Sequence, residues 1–285
     1  MPELPEVEAL AQFLGDRLTG RVVARVDVAG IAALKTYEPP VTSLGGLTIM
    51  GVSRHGKFLD IDVDGLHLLI HLSRAGWVRW REELSPTPLK PGKGPIVVRV
   101  HLDNGSGLDV TEAGTKKRLA VYVVREPSEV PGVARLGPEP LGLTREDFDS
   151  IVDANSRSQI KGLLRDQSVI AGIGNAYSDE ILHVAKLSPF AISGRLDAEQ
   201  RDRLFAAIAT TLQDAVQRSA GLPASELKDG KRAAMRVHGR TGETCPECGD
   251  VVREVSFADS SLQYCATCQT GGKPLADRRM SRLLK

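Results

Sequence analysis

The sequence predicts an α+β multidomain chain: one N-terminal helix with an antiparallel β sandwich or barrel, then a helical segment, then a small four-cysteine module. Three observations carry this reading. Apolar residues in the first 135 positions recur mainly at every second residue, whereas beyond residue 144 they recur at every third or fourth. All four cysteines of the 285-residue chain fall between positions 245 and 268.

Residues 6–19 (EVEALAQFLGDRLT) place Val7, Leu10, Leu14 and Leu18 on one helical face, with Gly20 as the stop. Leu59, Ile61 and Val63 then alternate with aspartates, and Asp64-Gly65 leads into LHLLIHL, a hairpin signal. Val98, Val100 and Leu102 alternate with polar residues before a second turn at Asn104-Gly105, and AVYVV at 120–124 supplies a further strand. The Pro- and Gly-rich stretch 126–144 reads as a linker. After it, Ile160, Leu163 and Leu164 share a helix face, the break at Gly172-Ile173-Gly174-Asn175 separates them from AYSDEILHVAKL, and Asp197 with Gln200 forms a capping box. The long helix that follows should bury Leu204, Ile208, Leu212 and Ala215. The expected domains are 1–135, 136–236 and 237–273, with a basic tail at 274–285.

Hydrophobic content of 41% and charged content of 26% suit a globular protein. No apolar run reaches the roughly 18 to 20 residues of a membrane span, and the acidic start MPELPE is unlike a secretion signal. A cytoplasmic protein without membrane attachment, monomeric in the absence of any dimer signal, is expected. Net charge is only +1, but residues 231–285 hold 10 Lys and Arg against 6 Asp and Glu, while residues 136–230 hold 10 against 14. The positive charge thus gathers where a phosphate-contacting module could sit, although a solvated basic tail has the same composition.

The cysteines run Cys245-x2-Cys248-x16-Cys265-x2-Cys268. Each pair lets two thiolates from one tight turn reach the same ion, and four complete a tetrahedral shell. One structural zinc, with no open coordination position, is the expectation.

Removal of Met1 would expose Pro2 as a secondary α-amine, whose pKa lies about 2.5 units below that of lysine. Such an amine is a nucleophile towards C1′ of a deoxyribose, and Glu3 and Glu6 stand beside it as proton donors and acceptors.

Several motifs then coincide in order: MPELPEVE, GKFL at 56–59, LGPEPL at 136–141, LLRDQSVIAGIGNAYSDEIL at 163–182 and the paired CxxC motif ending in Gln269. Together they resemble the formamidopyrimidine-DNA glycosylase/endonuclease VIII family over nearly the whole chain, with MPELPEVE nearer the formamidopyrimidine branch. The resemblance implies an N-terminal β sandwich, a helix-two-turn-helix domain and a zinc finger, with DNA bound in the cleft between them. It implies a bifunctional glycosylase/lyase that everts a damaged base, attacks C1′ with Pro2 and nicks the strand by β,δ-elimination. Glu3 would act at the sugar ring, with Glu6 beside it, and Lys57 near the scissile nucleotide. His71 would contact backbone phosphate, Asn175, assisted by Lys161 and Tyr177, would pin a phosphate beside the lesion, and a loop around residues 219–235 would set which lesion is removed.

The chain also departs from the family pattern. Arg74 stands where the formamidopyrimidine enzymes carry a methionine wedge. Thr111–Arg118 (TEAGTKKR) replaces a loop that supplies an arginine and a phenylalanine, leaving Lys116 and Lys117 as the charge available to DNA. Ser260 replaces a phosphate-clamping arginine, for which Arg253, Arg278 or Arg279 could substitute, and His238 replaces a tyrosine and reads as a surface residue without a role. These losses leave two readings open: a glycosylase/lyase of altered substrate preference, or a non-catalytic zinc-finger protein that senses damaged, abasic or single-stranded DNA.

Overall fold

The computed structural model describes residues 1–92, 94–258 and 260–276. They form two compact units, residues 1–136 with 219–228, and residues 137–218 with the rest of the chain from 229.

In the first unit, α1 spans Leu4–Leu18. Pro5 sits in its first turn, where a missing N–H breaks no helical hydrogen bond, and Gly20 leads out at φ 81°. The predicted face of Val7, Leu10, Leu14 and Leu18 is buried. The strands in chain order are β1 (Val23–Val28), β2 (Ile49–His55), β3 (Phe58–Val63), β4 (Leu66–His71), β5 (Gly76–Arg81), β6 (Ile96–Leu102), β7 (Gly107–Glu112) and β8 (Ala120–Val124). They build two antiparallel sheets, ordered β1-β6-β7-β5 and β2-β3-β4-β8. The β3–β4 hairpin turns at Asp64-Gly65 with φ of 44° and 85°, the left-handed pair that matches strand twist. Val78, Val98 and Val110 of one sheet meet Leu59, Ile61, Leu68 and Ile70 of the other in a single core, a sandwich rather than a barrel. Leu222, Ala224 and Leu227 join that core, and the Trp77 indole N–H donates to the Ala224 carbonyl at 2.9 Å.

The stretch 126–144 is not a slack linker. It contains the short helix α2 (Pro131–Ala134), and Val130 is buried against Leu69 and Val124. Gly137 N–H donates to the Gln167 carbonyl, and the Pro138 carbonyl accepts from Ala171 N–H, so its end is stitched to the second unit's own turn.

The second unit holds α3 (Arg145–Ala154), α4 (Ile160–Arg165), α5 (Asn175–Val184) and α6 (Ala198–Ser219). Asp197 and Gln200 form the predicted box, with bonds of 2.8 and 3.1 Å, and Leu204, Ile208, Leu212 and Ala215 are buried. Contrary to the loop expected at 219–235, residues Leu227–Ala234 form a helix, α7. The β hairpin of β9 (Val252–Ser256) and β10 (Ser261–Cys265) and the short α8 (Ala266–Thr270) complete the unit.

Candidate active site and metal module

Glu3 is the N-cap of α1 and is almost fully buried, as is Glu6. The two form a reciprocal box: Glu3 N–H donates to Glu6 Oε2 at 2.9 Å, and the Glu3 carboxylate accepts from Glu6 N–H. Pro2 is buried directly before this box, while Met1 is 44% exposed. The start of the helix thereby fixes Glu3, the residue that follows Pro2, through Glu6. Both lie at the positive end of the α1 dipole.

Lys57 follows Gly56 in the β2–β3 turn and is only 8% exposed. Phe58 pairs with His71 across β3–β4, and their rings lie 4.7 Å apart between centroids, tilted by 42°. Burial, and then the neighbouring Lys57 charge, lower the His71 pKa from 6.5 to about 4. At neutral pH His71 is therefore uncharged.

In the second unit, the chain between α4 and α5 is clamped by Gln167, whose amide donates to the Ile173 carbonyl at 2.7 Å and accepts from Gly172 N–H at 3.0 Å. Gly172 sits at φ 82°, which favours glycine. Asn175 opens α5 and donates from Nδ2 to the Ser261 carbonyl at 2.8 Å. Lys161 and Tyr177 are buried behind it. The Lys161 ammonium contacts Asp179 Oδ1 at 2.6 Å, Ser178 Oγ at 2.7 Å and the Asn175 carbonyl at 3.2 Å. The Tyr177 ring packs in the helical core beneath the Lys231 ammonium. Both therefore support the turn from inside the unit.

The four cysteine sulfurs lie within 4.8 Å of one another, with Cys245–Cys268 at 3.9 Å and Cys248–Cys265 at 3.3 Å. Zn–S bonds of about 2.3 Å give a tetrahedron with edges of about 3.8 Å, so the cluster fits one zinc without rearranging the chain. Gly249, at φ 79°, closes the first knuckle, in which Cys245 N–H donates to the Asp250 carbonyl at 2.7 Å. Burial pushes the Cys265 thiol up to about 11 and that of Cys268 higher still. A bound dication offsets that cost by replacing the protons. The module binds one structural zinc.

Three family models match successive parts of the chain: the formamidopyrimidine-DNA glycosylase N-terminal domain over residues 1–118, its H2TH domain over 136–225, and the zinc finger found in FPG and IleRS over 242–271. A formamidopyrimidine-DNA glycosylase of Desulforamulus reducens is 31% identical over 94% of this chain and 99% of its own. The chain belongs to the formamidopyrimidine-DNA glycosylase family. An uncharacterized formamidopyrimidine-DNA glycosylase-like protein of Mycobacterium tuberculosis is 61% identical over 53% of this chain and 94% of its own. The Lactococcus lactis Fpg, solved in complex with DNA containing an abasic site, superposes with a TM-score of 0.81 at 25% identity, covering 94% of this chain and 99% of that one.

Against this family frame the divergent positions take definite places. Arg74 is exposed in the turn before β5, next to Ser73 at φ 53°. The loop after β7 is organised by the buried Glu112, whose Oε1 accepts from the N–H groups of Arg118 and Leu119 at 2.6 and 2.9 Å. Lys117 is turned back to the Glu112 carbonyl, and Lys116 is exposed. Ser260 closes the β9–β10 hairpin by accepting from Phe257 N–H, and Arg253 lies 3.7 Å from Asp250. Arg278 and Arg279 lie outside the described residues, as does most of the basic tail. His238 is not an idle surface residue: its Nδ1 lies 2.7 Å from Asp179 Oδ2, the carboxylate that also holds Lys161.

Two positioning groups, Arg54 and Asp179, had no role assigned from the sequence. Arg54, 8% exposed, binds Glu8 of α1 at 2.7 Å and the Gly56 carbonyl at 3.3 Å, tying the helix that carries Glu3 to the turn that carries Lys57. Their 46-residue separation hides the pair from any local pattern. Asp179 was visible only as part of the YSDE motif.

Proposed function

We propose that this chain is a bifunctional DNA glycosylase and abasic-site lyase of base excision repair, working as a cytoplasmic monomer on damaged DNA, double- or single-stranded. Pro2 is the nucleophile, Glu3 and Lys57 handle protons and phosphate at the reacting sugar, and Glu6 positions Glu3. His71, Arg74, Lys116, Lys117 and Asn175 contact the DNA, with Lys161 and Tyr177 supporting the Asn175 turn. The observation that carries this reading is the buried Pro2-Glu3 pair at the start of α1, tied through Arg54 to the turn of the buried Lys57. One chain supplies every group the reaction calls for, so no second copy is required.

Once Met1 is removed, the Pro2 nitrogen bonds to C1′ as the bond from C1′ to the base breaks; the base leaves with that electron pair and takes up the proton that the Pro2 amine loses. Glu3 donates a proton to the ring oxygen, and the opened sugar is held as an iminium ion. The iminium acidifies the C2′ hydrogen; its removal expels the 3′-phosphate, and a second elimination expels the 5′-phosphate. The damaged nucleotide must first leave the helical stack, at a cost of about a few kcal/mol that is smallest for a mispaired or unpaired base. A zinc finger that keeps its metal gives the second unit a rigid surface for the backbone.

Borohydride reduction in the presence of abasic-site DNA should trap the wild-type protein covalently, and Pro2→Gly should trap at least tenfold less. Glu3→Gln should lose base excision while keeping lyase activity on a preformed abasic site. Tight, specific binding of abasic DNA with no trapping by wild type on single or double strands would select the non-catalytic reading.

A further inference from the structure

The metal centre has a contact beyond its four cysteines. His183, near the end of α5, is 1% exposed, and its Nε2 lies 3.3 Å from Cys245 Sγ, itself buried. We propose that His183 donates a hydrogen bond to the Cys245 thiolate and so determines how firmly this module retains zinc.

A zinc-bound cysteine sulfur carries no proton and can only accept. The imidazole must then present Nε2–H to it, which leaves Nδ1 as the bare nitrogen. That nitrogen is buried and has no hydrogen-bond partner among the described residues. A phenyl ring would fill the same volume without burying a polar atom, so packing does not account for an imidazole here, whereas the sulfur does. Four thiolates around one dication leave a net charge of −2. Cys248 is exposed and can share that charge with water, but Cys245 cannot. An N–H aimed at the buried sulfur supplies the missing solvation.

The placement also makes α5 the element on which the metal module rests. Asn175, Asp179 and His183 are spaced four residues apart, one stripe of the helix. Asn175 donates to the Ser261 carbonyl, Asp179 accepts from Gln263 N–H at 3.3 Å, and His183 reaches Cys245. Glu180 beside them accepts from the N–H groups of Arg236, Val237 and His238. The helix that begins at the Asn175 turn thus ends on a zinc ligand.

The test measures zinc transfer from the intact holoprotein to a chromophoric chelator. His183→Phe, which fills the site but cannot donate, should hold zinc 10- to 100-fold more weakly, the loss usual for an outer hydrogen-bond partner. His183→Gln, whose amide N–H can reach the same point, should stay within about threefold of wild type. Zinc retention by His183→Phe equal to wild type overturns the proposal, and so does equal loss in both variants, which would mark a packing role. A readout on the unsubstituted protein removes dependence on variant folding. After reconstitution with 113Cd, the His183 imidazole N–H should show scalar coupling to the metal across the hydrogen bond, and absence of that coupling contradicts the assignment. Both measurements rest on the cysteine site alone, so their failure leaves the enzymatic reading untouched.

Discussion

In the proposed site Glu6 acts through Glu3. Its carboxylate is committed to Glu3 N–H, and that bond sets the backbone from which Pro2 projects. Glu6→Ala should lower stability by about 0.5–2 kcal/mol, the usual worth of a lost cap, and Glu6→Gln should restore most of it because the amide oxygen still accepts. Denaturant titration of the three proteins checks this. The motif PELPE placed Glu3 and Glu6 at the start of a helix, but which of them holds the other depends on side-chain rotamers that spacing does not specify. His71 makes a separate claim. Its folded pKa is lowered by burial and by Lys57, so the unfolded chain takes up the proton first as pH falls. The His71 contribution to stability should therefore decline between about pH 6.5 and pH 4 and level off below that. His71→Phe should show a shallower decline over this window than wild type; parallel curves would contradict the buried, neutral imidazole.

At the scale of elements, the hairpins were legible because Asp64-Gly65 and Asn104-Gly105 punctuate alternating strands, and α6 because its capping box precedes a clean apolar stripe. Strand β7 was less so: only Leu108 and Val110 mark its alternation, and Asp109, Thr111 and Glu112 are buried with them although their polarity suggests solvent. Helix α7 was missed because LKDGKRAA is mostly polar, carries Gly230 and buries only Leu227. The stretch 126–144 misled for the opposite reason, since prolines and glycines that suggest slack here fit a tight fold. A Cβ at Gly137 would lie 2.6 Å from the Val169 carbonyl carbon and oxygen, and backbone cannot yield as a side chain can. Gly137→Ala should cost about 1–3 kcal/mol, measured by thermal unfolding, where a flexible linker would tolerate it.

At the scale of the molecule, the order of sandwich, helical part and cysteine module was readable from a change of period and from cysteine spacing. The return of residues 219–228 to the first unit was not, because it depends on Leu222, Ala224 and Leu227 finding a core far away in sequence. All four metal ligands lie in the second unit. Zinc removal should accordingly lower the unfolding temperature of that unit while leaving the transition of the β sandwich in place, and calorimetry with and without chelator separates the two. A single transition shifting as a whole would show instead that the units unfold together.

The central claim is that the chain's own second residue becomes the reacting amine. The most direct measurement reduces the protein–abasic DNA adduct, digests it, and maps the deoxyribose-derived mass by peptide mass spectrometry. That mass is expected on a peptide that begins at Pro2 and lacks Met1. The same mass on a lysine-bearing peptide, such as one containing Lys57, or on a peptide still carrying Met1, would contradict it.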